Sequence, residues 1–117
     1  MKTNNLIQEK SFQFSIKVIQ VCKDLKIRHE FELSKQLLRC GTSIGANVEE
    51  AIGAASRKDF INKLTIAYKE ARETTYWIKL LSATGDIPET QAVDLLHLSR
   101  QVERILVSIL KTSKANP

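Results

Sequence analysis

The chain has 117 residues, 43% of them hydrophobic and 26% charged, with a formal net charge of +5 and a pI near 9.4. That length fits one domain (1–117) able to bury a core without staples, and this composition is ordinary for a soluble globular protein. No apolar run approaches the roughly 20 residues of a membrane span, and the opening MKTNNLIQEK lacks the apolar stretch of a signal peptide, so a soluble cytoplasmic protein is expected.

Strand signals are missing, because Val and Ile recur at helical spacing and no Asn-Gly or Asp-Gly turn occurs. The first predicted helix covers about 6–27. Phe14, Val18, Val21 and Leu25 form one apolar stripe, and Phe12, Ile16 and Ile19 form a second beside it. So wide an apolar face needs more than one neighbour.

The connector RHEFE leads to a second helix over about 33–55, with Leu37, Gly41, Ile44, Val48, Ala51 and Ala55 at three-four spacing. Ser56 reads as an N-cap in a capping-box arrangement with Asp59, three positions later. The third helix, 57–83, therefore starts almost where the second stops. Phe60, Leu64, Ala67, Ala71, Thr74, Ile78 and Leu81 give it an unbroken stripe.

Gly85 is a natural C-cap, and Pro88 falls where the first turn of a helix tolerates proline. The fourth helix, 88–112, carries Leu95, Leu98, Val102, Ile105 and Ile109, and the tail KTSKANP is expected to fray. Helices of roughly 30 Å joined by short connectors imply an all-α protein, an antiparallel up-down-up-down four-helix bundle.

The segment RCGTSIGANVEEA places weak helix formers inside the second helix. Each mid-helix glycine costs about 1 kcal/mol relative to alanine, and close approach of a neighbouring helix offsets that. Gly41, Ile44, Gly45, Asn47 and Val48 are accordingly assigned to helix packing, with Asn47 a candidate register-fixing polar group. Arg39, Ser43, Asn47 and Glu50 form a polar stripe that is solvated, lines a subunit interface, or bonds a neighbouring helix. The glycines do not make a phosphate loop, because no strand precedes them and no Lys-Ser/Thr follows.

Cys22 and Cys40 read as small buried hydrophobes, and His29 and His97 stand alone. Glu49, Glu50 and Glu70 do not make a carboxylate-bridged metal site, which needs Glu-x-x-His pairs facing inward. No catalytic residue, cofactor site or metal site is expected, and the chain is read as a non-enzyme.

The segment SIGANVEEA, followed by KDFINKLTIAYKEARETTYWIKLL, resembles the four-helix-bundle proteins encoded in intervening sequences of bacterial large-subunit ribosomal RNA genes. The resemblance runs from about Leu6 to Leu110 and extends to the accessory protein of diversity-generating retroelements, which works with a reverse transcriptase. It implies a small antiparallel bundle assembled into a ring-like homo-oligomer, typically a pentamer, with a basic surface and suspected nucleic-acid binding. It supplies no catalytic residues.

Independently, the surplus apolar face of helix one, with Tyr68 and Trp77 lying off the main stripe of helix three, points to self-association through Phe12, Ile16, Ile19, Tyr68 and Trp77.

Two functions compete on this sequence. In the first, RNA or DNA binds along Lys58, Asn62, Thr65, Lys69, Arg72 and Tyr76 on helix three and along Arg100 and Arg104 on helix four. Such contacts are salt-sensitive and poor at reading sequence. In the second, the chain is an adaptor for another protein, such as a reverse transcriptase or a ribosome-associated factor. Glu49, Glu50, Glu70 and Glu73, which interrupt the basic surface, fit the adaptor better. Pairs such as Asp59–Lys63 and Lys69–Glu73, at i,i+4 spacing, are also expected simply to solvate helix three.

Overall fold

The computed structural model describes residues 2–115, with side chains described from residue 4. It contains four α-helices: α1 (Lys2–Ile27), α2 (Phe31–Ile52), α3 (Arg57–Ala83) and α4 (Glu89–Ala115). No strand occurs among the described residues. The molecule is elongated, 48 × 21 × 19 Å, as helices laid side by side require.

Each helix packs against its neighbours in the chain, and α1 also packs against α4. Side-chain bonds between neighbours run in opposing order. Gln8 meets Glu49, Ser15 meets Gly41 and Cys22 meets Ser34 between α1 and α2. Glu50 meets Lys63 and Arg39 meets Glu70 between α2 and α3. Arg57 meets Ser113 and Thr75 meets Ser99 between α3 and α4.

The apolar stripes enter a hydrophobic core that includes Phe14, Val18 and Leu25 of α1, Leu37, Ile44 and Val48 of α2, Leu64 and Ile78 of α3, and Leu95, Val102 and Leu106 of α4. Area removed from water is the main favourable term, about 25 cal/mol per Å².

Gly41 is the point of closest helix approach. A Cβ built there would lie 2.7 Å from Val18 Cγ1 and 2.9 Å from Cγ2, so only glycine lets α1 and α2 meet at this distance. At Gly45 the nearest atoms are Ser15 Oγ at 3.5 Å and Ser11 O at 3.6 Å, an ordinary contact. The seam is finished with small polar side chains. Ser11 donates to Ile7 O at 2.7 Å, and Ser34 donates to Cys22 O at 3.1 Å while the Cys22 thiol donates to Ser34 O at 3.4 Å. Buried hydroxyls are tolerated because each has a partner.

Asn47 is not a cross-helix register pin. Its amide donates to Ser43 O at 2.8 Å and to Ser43 Oγ at 3.1 Å, both on its own helix.

Several helix ends differ from the sequence expectation. Helix α2 stops at Ile52 rather than Ala55, because Gly53 takes the C-cap and turns its N–H back to Glu49 O. Ser56 then caps α3 as expected, accepting from Asp59 N at 3.1 Å. Helix α4 continues to Ala115 instead of fraying after 110, since Arg57 donates to Ser113 O at 3.2 Å and holds the last turns on α3. Asn116 and Pro117, the end of the expected fraying tail, lie outside the described residues.

Gly85 has φ +76 and ends α3, with Gly85 N donating to Ser82 O and Asp86 N to Leu81 O. His29 performs the same turn after α1 at φ 64, with Glu30 N donating to Leu25 O at 2.8 Å. A histidine in this left-handed conformation is less comfortable than a glycine.

The two mid-helix glycines therefore separate on substitution. Gly41→Ala is expected to destabilise by roughly 1–3 kcal/mol, because stiff, buried Val18 must move. Gly45→Ala is expected to stabilise by up to about 1 kcal/mol through helix propensity. Thermal or urea unfolding of the two variants checks this; equal shifts would contradict it.

Candidate nucleic-acid interface

Successive residues of a helix turn by about 100°, which divides the non-core surface of α3 into two flanks and an outer face. Asp59, Lys63, Ile66, Glu70, Glu73 and Trp77 lie on the flank toward α2. Lys58, Asn62, Thr65, Lys69, Arg72, Tyr76 and Lys79 lie on the outer face.

Two acidic residues of α3, Glu70 and Glu73, are engaged on the α2 flank. Arg39 of α2 forks between Glu70, at 3.5 Å, and Glu73. Glu73 also accepts from the Trp77 indole at 3.0 Å. Glu70 Oε2 is buried without a formed hydrogen bond, so charge attraction to Arg39 is what holds it. Further along, Lys63 bonds Glu50 of α2 at 3.0 Å, and that contact, ahead of Asp59, raises the Lys63 pKa above its usual value.

The expected pairs Asp59–Lys63 and Lys69–Glu73 thus give way to pairs between helices, because Glu50 and Arg39 point at α3. The polar stripe of α2 is thereby placed. Arg39 and Glu50 bond α3, and Ser43 with Asn47 bond each other.

The outer face keeps its bases. Lys58, Lys69, Arg72 and Lys79 are exposed, as are Arg100, Arg104 and Lys111 of α4. Among the described residues, Lys58, Lys69, Arg100 and Arg104 enter no ion pair. Arg72 is tethered, donating to the Tyr68 hydroxyl at 3.2 Å and lying 4.0 Å from Glu103.

Arg100 and Arg104 follow Ser99 and Glu103, which touch α3 at Thr75, so they sit one helical step from that seam. The two basic groups therefore border one another across α3 and α4. Glu103 and the buried pair Thr75–Ser99 were missed in the sequence because nothing local marks a threonine as a cross-helix partner. Lys79 and Lys111 were recoverable from spacing, each seven residues beyond Arg72 and Arg104.

On the opposite side, α1 exposes Phe12 at 68%, Ile16 at 44% and Ile19 at 37%, and α2 exposes Leu38 nearby. A shallow groove runs between the two helices over Ser15, Thr42 and Gly45. Tyr68 and Trp77, the other residues assigned to self-association, sit on opposite flanks of α3, nine residues apart. Both are partly buried against the core, and their polar ends bond Arg72 and Glu73 within the chain.

The description "23S rRNA-intervening sequence protein" matches residues 3–108. The chain belongs to that family. A crystal structure of a protein of unknown function from the S23 ribosomal protein family of Bacteroides thetaiotaomicron is 44% identical, covers 93% of this chain and 98% of its own, and superposes with a TM-score of 0.90. No curated protein matches. Membership of the intervening-sequence family therefore fixes the four-helix fold and brings no assigned activity with it.

Among the described residues, no group of His, Cys, Asp and Glu is arranged to hold a metal, and no helix is long and apolar enough to cross a membrane. His97 is exposed on α4 and His29 is spent on a turn. Both cysteines are free and buried, and burial pushes the Cys22 thiol up and the Cys40 thiol from 9.0 to about 11. A thiol is nucleophilic only as thiolate, and burial disfavours that form at both positions.

Folding raises the Cys40 pKa, so the proton it keeps contributes stability that is fully present below pH 9.0 and lost as pH rises toward about 11. Urea unfolding across that range is expected to show the decline, and Cys40→Ala should flatten it. A native protein whose Cys40 reacts freely with a thiol reagent at pH 8 would contradict this account.

Proposed function

We propose that this chain is a non-enzymatic, single-domain, up-down-up-down bundle that assembles with copies of itself and binds RNA or DNA through the outer face of α3 and α4. The opposing order of contacts between neighbouring helices supports the up-down course. One observation carries the binding reading: Glu70 and Glu73 of α3 are engaged by Arg39 of α2, while Lys58, Lys69, Arg100 and Arg104 remain exposed and outside any ion pair among the described residues. Phosphates are attracted by such a face without any sequence-reading contact.

Self-assembly rests on the exposed Phe12, Ile16 and Ile19, an apolar surface that a lone subunit leaves in water. A ring of subunits, with five as the expected number, multiplies each basic face by symmetry, so weak phosphate contacts sum through avidity. The cytoplasm, where nucleic acid is accessible, is the location this reading requires. A protein-adaptor role is the competing reading. It draws on the acidic side chains, but Glu70 and Glu73 are taken up within the chain.

The test is an RNA and DNA titration at low and moderate salt on material whose mass is fixed by light scattering. The native protein is expected to bind as a multimer, with affinity falling steeply as salt rises. Lys69→Glu with Arg72→Glu should weaken binding about tenfold or more and reduce the salt slope by about two, with particle mass unchanged. Undiminished affinity in that variant would remove the α3 face from the account, and a particle of one-chain mass would remove self-assembly.

A further inference from the structure

Tyr76 is not part of the hydrophobic core. It stands on the outer face of α3 with 58% of its surface exposed, between Arg72 and Lys79. Its helical neighbours are Arg72 and Glu73, one turn before, and Lys79 and Leu80, one turn after; Glu73 is taken up by Arg39, which leaves the two cations, at axial offsets of about 6 and 4.5 Å, to face the ring's surroundings. An aromatic ring left in water on a charged face is unfavourable by the area it exposes.

The ring is also held in place. Trp77 lies against it edge-on, centroids 5.6 Å apart at 68°. Trp77 is in turn fixed by its bond to Glu73, which Arg39 grips from α2. A flat ring backed by a fixed indole, with a guanidinium on one side and an ammonium on the other, has the parts of a base-stacking platform. Stacking needs only the π-face that every base has, and the adjacent cations take the phosphates on either side of the stacked nucleotide.

We propose that Tyr76, propped on Trp77 and flanked by Arg72 and Lys79, stacks on an unpaired base, so that the nucleic acid bound by this face is single-stranded. In a duplex the base faces are already covered by one another, and the ring finds nothing to stack on. This rests on the reading of the α3 outer face as a phosphate-binding surface and adds the class of ligand. RNA and DNA single strands share the chemistry and differ in the 2′-hydroxyl, which the platform does not address.

The experiment compares affinities for a short single-stranded RNA, the DNA of the same sequence, and a blunt-ended duplex of two complementary strands. The proteins are the native chain, Tyr76→Ala, Tyr76→Phe and the Lys69→Glu/Arg72→Glu double variant. Tyr76→Ala is expected to lose about tenfold or more on both single strands and nothing on the duplex, while Tyr76→Phe keeps native affinity. In the native protein, single strands should change the fluorescence of Trp77, the sole tryptophan, and the duplex should not.

Native single-strand affinity in a folded Tyr76→Ala variant, or Trp77 emission indifferent to single strands, would overturn the stacking site. If the double variant is weakened in that case, the phosphate-binding face stands without it. If the double variant also binds as the native protein does, both readings fall together.

Discussion

Arg39 reaches across from α2 and takes Glu70 and Glu73 of α3 into one ion-paired group. The Arg39–Glu73 arm of this group is open to solvent, and such a pair adds little stability, typically about 0–1 kcal/mol. Its consequence is a sorting of charge. With Lys63 paired to Glu50 further along the same seam, Glu70 and Glu73 are held on one flank, and on the other face Lys58 and Lys69 enter no ion pair among the described residues. The same contact steadies Trp77 through Glu73, and Trp77 backs Tyr76. Both the proposed phosphate face and the proposed stacking ring therefore trace back to where one arginine points.

That arginine is placed by packing rather than by charge. Gly41 brings α2 against Val18 of α1, which sets the rotation of α2 and turns the Arg39 and Glu50 side toward α3. The other side of α2 carries Leu38, Thr42 and Ala46 beside the exposed Phe12, Ile16 and Ile19 of α1. One helix thus separates an apolar face from a charged one. A bundle with unlike faces can meet its copies through one and a polyanion through the other, and neither contact occludes the other.

Much of this was legible in the sequence because helices advertise their buried side. The four apolar stripes, the Ser56 cap, the Gly85 stop and the close approach at Gly41 all follow from local spacing and backbone preference. Of the misjudged ends, that of α2 has a local cause in Gly53, whereas that of α4 depends on Arg57, a contact from another helix.

Contacts between helices were less legible. Lys69–Glu73 and Asp59–Lys63 have the spacing of pairs along one helix, but the partners that Glu73 and Lys63 find lie on α2, far away in sequence. Asn47 reads as a cross-helix group and bonds its own turn instead. Thr75 and Ser99, buried between α3 and α4, have no sequence signature at all.

The measurement that tests the central claim most directly is lysine footprinting by mass spectrometry, with and without saturating single-stranded RNA. If charge sorting creates the binding face, Lys58, Lys69, Lys79 and Lys111 are protected from acylation, while Lys17, Lys23 and Lys35 on α1 and α2 label as before. Protection of the α1 and α2 lysines instead, or even protection everywhere, would contradict the account.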